Sequence, residues 1–186
     1  MLVKETTKEE IDAKASKMSD FLKMEYFESC LKQRREASFE IRKYVNTQLA
    51  NLYENRSMFL EAAKNMNSLA DIATTFNEKR LAFVRAIDLY IKAGTYDRAD
   101  DTFKKAMACA NTLEKEDIKK QIRAWYKTQG QNYEKTQRNG NALKSYEKLY
   151  SLELNEGEKQ EIRQKLLALY NRLGKIREFN ALKGSS

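Results

Sequence analysis

Apolar residues recur every three or four positions near the start of the chain. The recurring positions are Ile11, Ala15, Met18, Leu22, Tyr26 and Cys30. Residues at this spacing share one face of an α-helix, so the pattern predicts an amphipathic helix over residues 8–33. Thr7 precedes this helix and forms a capping box with Glu10 of the first turn, in which each side chain accepts a hydrogen bond from a backbone N–H at the helix start.

Similar patterns, separated by cap and turn residues, predict eight further helices. Their predicted bounds are 36–55, 58–75, 78–93, 96–111, 114–136, 141–153, 156–173 and 175–182. N-caps are expected at Ser57, Asn77, Thr95 and Asn155, the last with Glu158 as a second capping box. Gly94 and Gly174 are expected to end helices, because glycine tolerates the left-handed conformation common there.

The predicted connections are only two to four residues long, which makes neighbouring helices fold back on each other as antiparallel hairpins. The sequence contains no proline and has no glycine- or serine-rich linker. We therefore expect an all-α protein in which residues 1–186 form a single domain, with residues 183–186 as a frayed tail.

Four tyrosines recur in one local frame. They are Tyr53, Tyr90, Tyr133 and Tyr170, with steps of 37, 43 and 37 residues. Nine residues after the first three come Ala62, Ala99 and Ala142, whereas Phe179 breaks the pattern in the fourth unit. Self-similarity at a period of about 30–45 residues is typical of helical arrays, in which each unit buries its apolar face against the next.

This pattern resembles the tetratricopeptide repeat (TPR). The best unit has Phe83, Ala86, Ile87, Tyr90, Gly94, Tyr96, Ala99, Phe103 and Ala106, and a second has Tyr126, Gly130, Tyr133, Ala142 and Tyr146. The resemblance covers residues 43–182, so residues 1–42 are expected to be capping helices. The step of 43 residues and the absence of proline depart from the family, and the long, irregular hairpins are similar to those of soluble NSF attachment proteins. The resemblance implies a right-handed α-α superhelix of about nine helices.

In such a superhelix the first helix of each hairpin lines the concave face. The resemblance therefore implies that a peptide or partner helix binds there, and that the contacting residues are Thr47, Asn51, Glu54, Asp88, Ile91, Lys127, Gln131, Glu134, Gln164 and Asn171. The family's clamp for a peptide carboxylate is not expected, because Thr47, Arg85, Ala124 and Thr128 stand where its lysines, asparagines and arginine would be. The implied function is that of a non-catalytic scaffold or adaptor for a protein partner.

Composition argues against most catalytic chemistry. The chain has no histidine, which removes imidazole acid-base catalysis and histidine metal ligands. Its two cysteines, Cys30 and Cys109, are too few for a four-cysteine zinc site and too far apart for a CxxC motif. Nucleotide-binding and hydrolase signatures are also missing. We expect no enzyme activity, cofactor or metal. Without a signal peptide or an apolar run of bilayer length, we expect a cytoplasmic location.

The net charge of +8 is concentrated in the C-terminal third. Residues 115–186 contain 16 basic and 9 acidic residues, which gives this segment a net charge of +7. Lys119, Arg123 and Lys127 are four residues apart and therefore share one helix face. This basic face indicates an acidic partner, either an acidic protein or, as the alternative function, nucleic acid. The interspersed glutamates leave a third interpretation, that the charge only keeps the protein soluble.

Overall fold

The computed structural model describes residues 3–33 and 38–184, and within those residues it is built from α-helices, with no β-strand. This confirms the all-α prediction. The helices are α1 (Lys8–Ala15), α2 (Asp20–Gln33), α3 (Phe39–Asn55), α4 (Phe59–Ile72), α5 (Phe76–Lys92), α6 (Tyr96–Ala108), α7 (Thr112–Lys135), α8 (Asn139–Tyr150), α9 (Glu156–Arg172) and α10 (Ile176–Gly184). Among these helices, none is long and apolar enough to cross a membrane.

The chain divides into two compact units, Met1–Lys115 and Glu116–Ser186. The boundary falls within the first turn of α7, so nearly all of that helix belongs to the second unit. Each unit is described by itself below. The prediction that the whole chain forms one domain stays a prediction.

The single helix predicted over residues 8–33 was wrong, because the structure has two helices there. α1 ends at Ala15 and α2 begins at Asp20. At the break, the Ser16 hydroxyl donates to the carbonyl oxygen of Ala13 at 2.8 Å, and the Met18 backbone N–H donates to the carbonyl oxygen of Ala15 at 2.9 Å. Serine side chains that bond to nearby backbone compete with helix hydrogen bonding, which explains why the apolar pattern alone misses this end.

Several predicted helix ends also change. Both capping boxes, at Thr7 and Asn155, are confirmed. The N-cap of α5 is Thr75 and not Asn77, since the Thr75 side chain accepts a hydrogen bond from the Glu78 N–H. Ser57 is not an N-cap but a turn residue. The predicted start at residue 36 lies outside the described residues, as do Ser185 and Ser186, whereas residues 183–184 of the predicted frayed tail belong to α10.

Four of the connections share one backbone conformation. The φ angle is positive at Ser57 (58°), Gly94 (72°), Gln137 (56°) and Gly174 (69°), each four residues after a recurring tyrosine. In every case the tyrosine carbonyl accepts a hydrogen bond from the backbone N–H five residues later, at 2.8 to 3.0 Å. This bond is the signature of a Schellman helix end.

Alternate helix ends in this set share one separation in sequence. The turns at Ser57 and Gln137 are 80 residues apart, and so are those at Gly94 and Gly174. The turns therefore place the four tyrosines at equivalent backbone positions. Their side chains are not fully equivalent, because Tyr133 is half-buried and the other three are buried.

In the unit Met1–Lys115, successive helices from α2 to α6 pack against one another. α4 contributes buried alanines at Ala62, Ala63 and Ala70, and α5 contributes Ala82 and Ala86. Small side chains at these positions allow the helix axes to approach closely. Polar side chains of α3 and α5 also come within hydrogen-bonding distance of each other.

In the unit Glu116–Ser186, α8 packs against α9 and α9 against α10, and α7 meets α8 at two local contacts. The buried Ser145 hydroxyl of α8 donates to the carbonyl oxygen of Tyr126 in α7 at 3.0 Å. Gly130 lies directly beneath the ring of Tyr146, where a Cβ atom would come within 2.5 Å of the ring. Glycine is therefore needed at this position for contact between α7 and α8.

Candidate functional site

The face shared by α3 and α5 carries a connected polar cluster. The Arg85 guanidinium donates to Asn51 Oδ1 at 2.6 Å and to Glu54 Oε2 at 3.2 Å. The Lys92 ammonium donates to Glu54 Oε1 at 3.1 Å and pairs with Asp88 Oδ2 at 2.8 Å. We call these five residues the α3–α5 network. It brings together three of the predicted contact residues, Asn51, Glu54 and Asp88.

Helix geometry explains the arrangement. Asn51 and Glu54 are three residues apart on α3, and Arg85, Asp88 and Lys92 follow at steps of three and four on α5. The two rows face each other once α3 and α5 lie side by side. Each charged member remains partly exposed, with side-chain exposures between 21% and 39%. The network is therefore accessible from solvent as well as tied to both helices.

The charges in the network stabilise one another. Partial burial opposes ionisation of Glu54, but hydrogen bonds from Lys92 and Arg85 outweigh it and lower the pKa of this carboxyl below its usual value. Burial also opposes the charge of Lys92, and here Asp88 and Glu54 outweigh it and raise the pKa of the ammonium. Both groups are thus ionised at neutral pH.

The other predicted residues of this unit behave differently. The Thr47 hydroxyl donates to the carbonyl oxygen of Lys43 in its own helix at 2.8 Å. Ile91 is only 1% exposed, so it has almost no surface to offer a partner. Lys43 donates to Glu78 Oε1 at 2.6 Å and so adds a second link between α3 and α5.

A related arrangement joins α7 and α9 in the other unit. Glu134 Oε2 accepts hydrogen bonds from Lys165 at 2.8 Å and from the Tyr146 hydroxyl at 2.5 Å. Glu134 and Lys165 lie 80 residues after Glu54 and Arg85, the pair that links α3 to α5. Burial opposes the charge of Glu134, but Lys165 and Tyr146 overcome it and lower the pKa of this carboxyl.

The remaining predicted contact residues are on the same two helices. Lys127 of α7 donates to Glu161 Oε2 of α9 at 2.7 Å. Gln131 is half-exposed, and Gln164 and Asn171 are exposed. The ten predicted residues therefore fall into two groups, one in each unit. That these groups line one continuous groove stays a prediction.

The predicted basic face is largely compensated by acidic and carbonyl oxygens. Lys119 pairs with Glu116 at 3.1 Å and with Glu153 at 3.0 Å, and these contacts raise the pKa of its ammonium, Glu153 contributing most. Arg123 donates to the backbone carbonyl oxygen of Glu153 at 2.5 Å. The sequence pattern could not indicate this pairing, because Glu153 is at least 30 residues away and is brought close only by tertiary packing.

A cleft of about 230 Å³ lies in this second unit, and sequence reasoning missed it. It is lined by Lys120, Arg123, Ala124 and Lys127 of α7, Leu149 of α8, Leu154 of the α8–α9 connection, and Glu158 and Ile162 of α9. Its base is apolar and its edge is mainly cationic. Only Arg123 and Lys127 were among the predicted site residues, and no local signal in the sequence groups the other six with them.

Within residues 3–33 and 38–184, no group of three His, Cys, Asp or Glu side chains is arranged to hold a metal ion. The α3–α5 network and the cleft of the second unit both offer hydrogen bonds and charges to a ligand, and the cleft also offers apolar contact. Comparison of the sequence with models of known protein families and with curated proteins finds no match.

Proposed function

We propose that this protein is a non-catalytic scaffold or adaptor of the cytoplasm, which binds a peptide or a partner helix in the concave groove of a right-handed superhelix of TPR-like hairpins. The α3–α5 network is the observation that carries the proposal. The four Schellman turns support the repeat interpretation, since the same kind of helix end follows each recurring tyrosine.

The network suits a binding surface for a physical reason. Side chains that are already held by neighbours lose little conformational entropy when a ligand arrives, so more of each new hydrogen bond contributes to affinity. Asn51 and Asp88 are partly exposed and oriented by Arg85 and Lys92, respectively. An extended peptide has backbone N–H and C=O groups that can bond to such fixed donors and acceptors.

Selection from a random peptide library displayed on phage tests the proposal. We expect the wild-type protein to enrich binding peptides, and a variant with Asn51→Ala, Asp88→Ala and Gln131→Ala to bind them at least about tenfold more weakly, a loss of about 1.4 kcal/mol. A matched variant on the second helices, with Asn67→Ala, Asp101→Ala and Asn141→Ala, should bind normally. Helical circular dichroism during heating checks that both variants stay folded.

Two outcomes of this selection would contradict the proposal. No enriched peptide at all would remove the scaffold function. Enriched peptides that bind both triple variants equally well would move the contact surface away from these residues.

Nucleic acid remains the second candidate partner, carried by the net charge of the C-terminal third. The ion pairs of Lys119 and Lys127 with glutamates weigh against it, because those cations would have to exchange partners to meet phosphates. Titration of RNA and DNA binding against salt separates the two candidates, since a phosphate backbone produces a steep salt dependence with little sequence preference.

A further inference from the structure

We propose that the cleft between α7 and α9 binds an acidic peptide segment, in which an aliphatic or aromatic side chain enters the cleft and a neighbouring Asp or Glu meets Lys120 and Arg123. This inference rests on the proposed function and deepens it, because it names the chemistry of the partner segment and a place in the second unit where such a segment binds.

The size and walls of the cleft select a side chain. Its volume of about 230 Å³ is smaller than the roughly 300–1,000 Å³ of pockets for drug-sized ligands. Leu149 and Ile162, both almost fully buried, close its base, while Leu154 and Ala124 are accessible on its walls. Transfer of one apolar side chain from water onto these groups is favourable in proportion to the area covered.

The charges at the edge select an acidic neighbour. Lys120, Arg123 and Lys127 face one carboxylate, Glu158, which already accepts the backbone N–H of Asn155 in the capping box. Lys127 is occupied by Glu161. The cleft therefore has an excess of positive charge, and the carboxylates near it are already in use.

Two of these cations have capacity for a ligand. Lys120 is exposed and makes no hydrogen bond or ion pair with the described residues, and Arg123 pairs with no carboxylate among them. The guanidinium of Arg123 has five N–H donors, and a single backbone carbonyl of the connection accepts from it at 2.5 Å. Because Lys120 and Arg123 are three residues apart on α7, one carboxylate can approach both.

A nucleic acid fits the same cleft less well. Binding of single strands relies on aromatic side chains that stack on bases, and none of the eight lining residues is aromatic. The apolar residues at the bottom of the cleft also offer no hydrogen-bond donor or positive charge to a phosphate group. The combination of an apolar base with a cationic edge matches a peptide in which hydrophobic and acidic residues are adjacent.

The library selection described above also tests this inference, with two cleft variants added. Lys120→Glu reverses the charge of the lysine that has no partner among the described residues, and Ala124→Leu fills the wall of the cleft with a residue that favours helices. Lys144→Glu, at an exposed position of α8, makes the same charge change away from the cleft and is the matched control. A labelled synthetic peptide with the enriched sequence is then titrated with each protein by fluorescence anisotropy.

We expect enriched sequences with a leucine, isoleucine or phenylalanine next to Asp or Glu. Lys120→Glu should weaken binding at least about tenfold, the size of one charge-assisted hydrogen bond. Ala124→Leu should weaken it by a similar factor, because the leucine occupies the cleft and excludes the apolar side chain of the peptide, and Lys144→Glu should change binding less than twofold. The inference is overturned if the enriched sequences lack acidic residues, or if the peptide binds the two cleft variants as tightly as the control. The inference is also overturned if a mixed-sequence nine-nucleotide DNA strand displaces the labelled peptide at a lower concentration than the unlabelled peptide does.

The outcomes separate the two proposals. If the peptides lose binding in the Asn51, Asp88 and Gln131 variant but not in the cleft variants, the scaffold function stands and the cleft is not a binding site. If no peptide is enriched, both proposals fail. Loss of binding in the cleft variants alone would assign the contact to the cleft and not to the predicted concave residues.

Discussion

Replacement of Gly130 by alanine tests the contact between α7 and α8. An alanine Cβ would lie 2.5, 2.7 and 2.9 Å from three ring atoms of Tyr146, closer than carbon atoms can approach without a shift. The ring cannot easily move away, because Tyr146 is fully buried and its hydroxyl donates to Glu134, which also binds Lys165. The substitution should therefore force α7 and α8 apart.

Two opposing effects set the magnitude. Alanine is favoured over glycine within a helix by about 1 kcal/mol. Overpacking of a buried contact costs about 1–3 kcal/mol, and three short contacts to a fixed ring place this case near the upper end. We expect Gly130→Ala to lower the free energy of unfolding by about 2 kcal/mol. The corresponding fall in melting temperature is about 4–8 °C for a protein of 186 residues.

Urea unfolding followed by fluorescence measures the effect locally, since Trp125 is the only tryptophan and lies in α7, near Gly130. Gly140→Ala is the control, because a Cβ there meets nothing within 4 Å. The double variant Gly130→Ala/Tyr146→Met recreates the pair found 80 residues earlier, Ala50 and Met66, and should recover at least about 0.5 kcal/mol through coupling of the two sites.

The reasoning is refuted if Gly130→Ala is as stable as the wild type, or is stabilised like Gly140→Ala. That result would mean that the α7–α8 contact relaxes without cost. A loss of stability in the double variant equal to the sum of the losses in Gly130→Ala and Tyr146→Met would show that the Tyr146 ring is not the source of the strain.

Two further predictions concern the first unit. Ala99→Leu should destabilise the protein by about 1–3 kcal/mol through overpacking of a residue that is almost fully buried, whereas Ala108→Leu at an exposed site of the same helix should have little effect in thermal unfolding. Glu54→Gln should lower stability at pH 7 by about 0.5–1 kcal/mol, because Arg85 and Lys92 lose their shared carboxylate. Folding lowers the pKa of the Glu54 carboxyl. The stability that its charge contributes is therefore present above the usual pKa of 4.5 and is lost as the pH falls through the folded-state pKa.

Urea unfolding between pH 7 and pH 3 checks the second of these predictions. The Glu54→Gln variant should lose less stability than the wild type on acidification, and Glu25→Gln, at an exposed site of α2, should follow the wild-type curve. Parallel curves for wild type and Glu54→Gln would contradict the ionisation argument. Equal melting temperatures for Ala99→Leu and Ala108→Leu would contradict the packing argument.

Local features were predicted well where their cause is local. The capping boxes at Thr7 and Asn155 and the helix ends at Gly94 and Gly174 depend on hydrogen bonds and backbone angles within a few residues. The break after Ala15 was missed because the apolar spacing continues through it.

The candidate sites were predicted only in part, because their bonds join residues far apart in sequence. The resemblance to the TPR implied Asn51, Glu54 and Asp88 as contact residues but assigned no site role to Arg85 and Lys92, the cations that hold them. Those pairs span up to 38 residues and form only when two helices lie side by side.

The sequence by itself determined that the part of the chain described by the structure is built from α-helices without β-strands, because helix propensity, caps and the three- to four-residue apolar period act over one or two turns. Only the tertiary structure decided which charged side chains on a polar helix face are paired with groups from other parts of the fold. Lys119, Arg123 and Lys127 form a basic row in the sequence, yet Glu153 and Glu161 reach them from the α8–α9 connection and α9. The cleft beside that row likewise exists only because three helices and one connection converge, and electrostatic attraction depends on distance in space and not along the chain.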